Sequence, residues 1–84
     1  MNEIEKTACI VRATKIKLSN LQKVIRYYRY WQNCYKRECN KEIGASLKYA
    51  RKCLEDAKTQ YKDFCQEYSA YKFPEIERLR ILIR

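Results

Sequence analysis

Between residues 43 and 71 the side chains Ile43, Leu47, Ala50, Leu54, Ala57, Tyr61, Phe64, Tyr68 and Tyr71 recur at alternating steps of four and three. A strand turns successive side chains to opposite faces and cannot use that spacing, whereas a helix gathers all of these residues on one stripe. The remaining positions carry Lys48, Arg51, Lys52, Glu55, Asp56, Lys58, Lys62, Asp63 and Glu67, mixed in sign, with opposite charges four apart at Lys52 and Asp56. The pattern predicts a long amphipathic helix over 42–72. Some other part of the chain must cover its apolar stripe.

A second helix is predicted over 20–38. Ser19 and Gln22 have capping-box spacing, and Leu21, Val24, Ile25, Tyr28, Trp31 and Tyr35 then follow along one helical face. Cys39 to Gly44 holds the turn, with Asn40 and Gly44 its poorest helix formers, so the two helices form an antiparallel hairpin. Tyr28, Trp31 and Tyr35 are assigned to the core on this pattern, opposite Tyr61, Phe64 and Tyr68.

The two ends read differently. Residues 8–18 are rich in β-branched side chains and set Ile10, Arg12, Thr14, Ile16 and Leu18 against Val11, Ala13, Lys15 and Lys17, which favours a strand. Residues 77–84 also alternate, with Leu79, Ile81 and Ile83 on one side, and are read as a strand or a short helix. The expected fold class is therefore α+β, in the order β-α-α-β, with the terminal strands paired. A lone two-stranded ribbon is marginal, so a homodimer that joins two ribbons into four strands is expected. Arg12 is then an ion-pair partner or part of the dimer surface. The alternative is an all-α helical hairpin, in which a continuous first helix starts near Asn2 and Pro74, followed by Glu75 and Glu77, opens a short last helix.

Eighty-four residues are read as a single small domain, 1–84. At that size folding buries only ~60 to 65% of the surface that the unfolded chain exposes. With 46% hydrophobic residues and one Gly and one Pro, the chain is too apolar and too poor in breakers for a disordered tail. The start Met-Asn-Glu-Ile-Glu-Lys lacks the basic and apolar regions of a secretory leader, and no stretch approaches the ~20 apolar residues of a membrane span, so a cytoplasmic protein is expected.

There is no histidine, hence no ordinary base near neutral pH, and catalysis is not expected. Cys9, Cys34, Cys39, Cys53 and Cys65 lack the close chelating pairs of a zinc site, so no metal or other cofactor is expected. Reduced thiols are the default reading, with a Cys34–Cys53 disulfide across the hairpin as a minor alternative.

The strongest functional signal is Arg26 to Arg37, where four cations interleave with five aromatic rings and no acid occurs, in a chain of net charge +9. Residues 1–40 hold nine cations against three acids. On the predicted helix Lys23, Tyr27, Tyr30 and Arg37 share a face turned away from the core stripe, flanked by Arg26, Arg29, Asn33 and Lys36. Lys15 and Lys17 extend the surface along the first strand. Cations neutralise phosphates, rings stack on unpaired bases and Asn33 can read a base edge, so RNA or single-stranded nucleic acid is the expected partner. The competing expectation is a small phage-type inhibitor or adaptor that docks on a larger acidic host protein, such as an RNA-cleaving toxin or nuclease, alone or together with RNA. Attachment to an anionic membrane is a weaker third reading, because the apolar stripe is better used against the second helix.

Overall fold

The computed structural model of the chain describes residues 2–84 and is built from three helices: α1 (Glu3–Arg37), α2 (Lys41–Glu67) and α3 (Pro74–Leu82). No strand occurs among the described residues. The α+β expectation is thereby corrected, and the all-helical alternative fits.

Residues 8–18 belong to α1. Helix propensities separate β-branched residues from the best formers by only ~0.7 kcal/mol each at most, while every residue added to an existing helix gains a backbone hydrogen bond without a new nucleus. Burial decides the matter: Ile10, Thr14, Leu18 and Leu21 are the buried residues of α1, and their spacing is helical. Arg12 and Ile16, from the supposed inner strand face, are exposed. The Thr14 hydroxyl donates to the Ile10 carbonyl oxygen at 2.7 Å, which satisfies a fully buried polar group inside the helix. Ser19 therefore lies mid-helix and exposed rather than at a cap. The real N-cap is Asn2, whose side-chain oxygen accepts from the Glu5 N–H at 2.8 Å. Because both ends are helical, the four-stranded ribbon that motivated a dimer has no counterpart.

The hairpin turn is shorter than predicted, since α2 already begins at Lys41. The Asn40 side chain caps it by accepting from the Ile43 N–H at 2.8 Å, and the Glu38 N–H closes α1 on the Cys34 carbonyl at 2.9 Å. Gly44 sits in the first turn of α2, where a Cβ would meet the Tyr35 ring at 3.4 Å, an ordinary contact. At its other end α2 stops at Glu67, short of the predicted residue 72. There Arg80 Nη2 donates to the Tyr68 and Ser69 carbonyls at 3.3 and 3.1 Å, supplying partners and positive charge to the helix C-terminus.

The all-helical alternative also covers 77–84, of which α3 takes residues up to Leu82, with Pro74 in its first turn. This helix runs beside α1 in the same direction: Glu75 lies 3.9 Å from Lys15, and Leu82 shares a surface cavity with Gln22. Leu21, Ile76 and Leu79 are fully buried and join Cys65 in the core cluster, with Ile25, Leu54 and Phe64 packed around it. Each such aliphatic side chain contributes ~1.5 to 3 kcal/mol relative to exposure. The molecule measures 54 × 18 × 16 Å, and 35 residues of α1 at ~1.5 Å each account for the long axis. The end that holds the hairpin turn thus has two helices across it, and α3 adds a third beside the Lys15 to Gln22 stretch of α1.

Candidate nucleic-acid interface

With Leu21 buried and Ile25 and Tyr28 turned toward α2 and α3, helical phase sends Lys23, Arg26, Tyr30, Asn33 and Arg37 along the opposite side of α1. All five are exposed. They make one line ~21 Å long, from fourteen residues at ~1.5 Å each. Arg29 and Lys36, seven apart, form a shoulder on one flank, and both are exposed. The only ion pairs among the described residues are Lys15 with Glu75 and Arg80 with Glu77, so none of these five cations of α1 is neutralised.

Two rings stand in this field: Tyr30 is 58% exposed and Tyr27 43%. Trp31 stands edge-on to both, with centroid distances of 5.2 Å to Tyr30 and 6.3 Å to Tyr27. It is half-buried, and its indole Nε1 is enclosed without a hydrogen-bond partner. Trp31 therefore packs its edge contacts against both tyrosines. Beside it a surface pocket of about 360 Å³ is lined by Tyr30, Trp31, Cys34, Arg37, Glu38 and Ile43. Arg37 Nη2 donates toward the Cys34 sulfur at 3.6 Å, which tethers the guanidinium at the pocket edge. A hydrogen bond with Cys34 pushes the Tyr30 hydroxyl above its ordinary pKa, helped by Coulombic repulsion from the same group and by partial burial, with Arg37 opposing. Tyr30 consequently adds no negative charge to the cationic face near neutral pH.

The structure brings together Lys23, Arg26, Tyr27, Tyr30, Asn33 and Arg37, with Arg29 and Lys36 on the shoulder. Lys15 falls on the same shoulder, fourteen residues before Arg29, with its side chain 62% exposed, and only Lys17 is separated from them. Residues two apart share a strand face but stand ~200° apart on a helix. Lys15 turns to Glu75, and Lys17 sets its ammonium over Phe64, 4.6 Å from the ring centre, and 6.0 Å from that of Tyr61. Of the aromatics assigned to the core, Tyr28 is half-buried and its hydroxyl accepts from Arg51 Nη2 at 3.4 Å. Tyr35 is instead 40% exposed, because Gly44 opposite it carries no side chain to cover the ring.

One exposed ring on α2 was not singled out by the sequence pattern. Tyr49 of α2 is 63% exposed. Its pKa is raised mainly by a hydrogen bond with Cys53, with Coulombic repulsion from Cys53, partial burial and Tyr27 adding to the shift. The available signal was an aromatic residue standing outside the apolar stripe of its own helix.

No protein-family model, curated protein or solved structure matches the chain. Among the described residues no three His, Cys, Asp or Glu side chains are grouped to hold a metal ion, and no helix is long and apolar enough to cross a membrane.

Proposed function

We propose that the chain is a non-enzymatic binder of single-stranded nucleic acid, RNA foremost, that uses the outer face of α1. The observation that carries the reading is the placement of unpaired Lys23, Arg26 and Arg37 beside the exposed rings of Tyr27 and Tyr30. Charge by itself suits a solvated surface. Rings held exposed among cations do not serve solubility, and they give unpaired bases a stacking surface worth ~1 to 3 kcal/mol per base. Phosphates meet Lys23, Arg26 and Arg37, and Arg29 and Lys36 widen the field toward the groove between α1 and α2. The half-buried Trp31 keeps both tyrosines erect, which lowers the ordering cost of stacking.

Fluorescence anisotropy with a mixed-sequence RNA oligonucleotide of about 20 residues, the matching DNA strand and the duplex tests the reading over ~50 to 200 mM salt. Single strands bind more tightly than the duplex, and engagement of four or five phosphates gives log K against log salt a slope of about −3. Absence of binding to any strand at ~10 μM protein in 50 mM salt rejects the function.

A further inference from the structure

The groove between α1 and α2 that α3 fills at one end runs on unfilled to the hairpin turn. On α1, Lys15, Leu21 and Gln22 meet α3, and steps of seven from them reach Tyr28, Arg29, Tyr35 and Lys36 on the same face. On α2, Cys65 joins the core beside α3, and steps of seven backward reach Lys58, Arg51 and Gly44. Beyond Leu82 and Ile83 no described element lies over this stretch. Its floor begins at half-buried Ile25 and Leu54, which also pack against the core cluster under α3, and continues to half-buried Leu47, where a pocket of about 330 Å³ opens between Tyr35, Gly44, Leu47, Lys48 and Arg51. The rim carries Arg29, Lys36, Lys48, Arg51 and Lys58 against one acid, Glu55.

We propose that this open half of the groove is the docking site for an acidic amphipathic helix of a protein partner, laid end to end with α3. The chain supplies its own precedent. In the filled half, α3 sinks Ile76 and Leu79 completely and sets Glu75 3.9 Å from Lys15, which supplies an apolar ridge with one flanking carboxylate; Arg78 and Arg80 balance its two acids, so the preference for an acidic helix rests on the rim of the open half. The distance from Gln22 to Arg37, fifteen residues at ~1.5 Å, holds about four helical turns. Positive rims over an apolar floor select against basic helices and for acidic ones. Arg51 is already held in place by the Tyr28 hydroxyl at 3.4 Å, so a carboxylate meets a positioned guanidinium. A nucleic-acid strand finds its exposed rings on the outer face of α1, whereas an apolar floor suits leucine better than phosphate. Arg29 and Lys36 border both surfaces, but Leu47, Lys48 and Arg51 take no part in the outer face, so variants at these three positions separate the inference from the proposed function.

The test uses a capped, fluorescently labelled synthetic peptide of about 15 residues, with Leu at helical spacing and Glu on both flanks, and a twin in which Lys replaces every Glu. Anisotropy gives a dissociation constant of ~10 μM for the acidic peptide with the full chain and no saturation for the basic twin. The double variant Lys48→Glu/Arg51→Glu and the single variant Leu47→Ser, each with an unchanged circular-dichroism spectrum, weaken the acidic peptide at least tenfold. Both keep their affinity for the RNA oligonucleotide, while Arg26→Glu/Arg37→Glu keeps the peptide and loses the RNA. Equal affinity for the two peptides overturns the proposal, as does no binding at ~200 μM. Loss of RNA binding in the Lys48/Arg51 variant also overturns it, by assigning the groove to nucleic acid. Sedimentation showing a dimer that Leu47→Ser dissociates overturns it in favour of a second copy of the chain.

Discussion

Lys17 on α1 holds its ammonium 4.6 Å from the centre of the Phe64 ring on α2. The contact joins the two long helices near the point where α3 docks, and it turns a cation inward that the sequence pattern assigned to the binding surface. Such a pair contributes ~0.5 to 2 kcal/mol, depending on how far it is desolvated. Replacing Lys17 with Met keeps the stem and removes the charge. We expect Lys17→Met to change RNA affinity by less than twofold and to move stability in urea by about 1 kcal/mol or less, since the added apolar tip offsets the lost attraction. A tenfold loss of RNA binding would return Lys17 to the interface.

Charge and stacking on α1 make separable contributions. Arg26→Glu/Arg37→Glu reverses two exposed cations of the line, Arg26 between Lys23 and Tyr30 and Arg37 next to Asn33. It should lower RNA affinity at least tenfold at low salt and flatten the salt dependence, because fewer counterions are released. Tyr30→Ala removes the most exposed ring of α1 and leaves every charge in place. Its expected signature is a loss of ~1 to 3 kcal/mol with an unchanged salt slope. Anisotropy titrations at three salt concentrations distinguish the two. If Tyr30→Ala binds like wild type, the surface acts by charge alone.

The hairpin was legible because Leu47, Ala50 and Leu54 on one helix and Leu21, Ile25 and Tyr28 on the other repeat at a period that only helices satisfy. The N-terminal third was misread for a physical reason. Ile10, Thr14 and Leu18 fit a two-residue alternation and a four-residue repeat equally well, and the β-branched content tipped the choice toward a strand. Their burial against the rest of the chain, a tertiary fact, decided for the helix. The same error put Lys17 beside Lys15 on the site, although on a helix only Lys15 keeps to that side and Lys17 turns inward over Phe64. Lys23, Arg26, Tyr27, Tyr30 and Arg37 were placed correctly on one exposed side because their helix was read correctly. The groove beyond α3 was invisible beforehand, since it exists only once the last helix is known to stop beside Gln22.

Thr14 is fully buried, and its hydroxyl returns to the Ile10 carbonyl, which as a helix-interior acceptor has a backbone donor as well. Bonding of this kind stabilises little and tends to bend helices. Thr14→Val replaces the hydroxyl by a methyl group of similar size among apolar neighbours. We expect a gain of up to about 1 kcal/mol in urea denaturation, with the helical circular-dichroism signal unchanged. A loss of more than about 1 kcal/mol would show that the hydroxyl is needed at the α1 core.

Cys65 links pH, thiol chemistry and the docking of α3. It is 5% exposed within the cluster of Leu21, Ile76 and Leu79, and burial pushes its thiol above the ordinary range, with Arg80 opposing and Glu77 adding to the shift. A thiol that binds its proton more tightly when folded contributes stability that is fully present below the unfolded value of ~8.5 and is lost as pH rises through the higher folded value. Cys9 and Cys39 are exposed, and Cys34 and Cys53 are half-buried. Labelling with a disulfide reagent at pH 8, read by mass spectrometry, should modify Cys9 and Cys39 first and Cys65 last, at a rate set by opening of the α2–α3 junction. Leu79→Ala, which empties a fully buried site beside it, should cost ~2 to 5 kcal/mol and accelerate Cys65 labelling far more than that of Cys9. Equal rates for Cys65 and Cys9 in the wild-type chain would mean that α3 does not cover the thiol in solution.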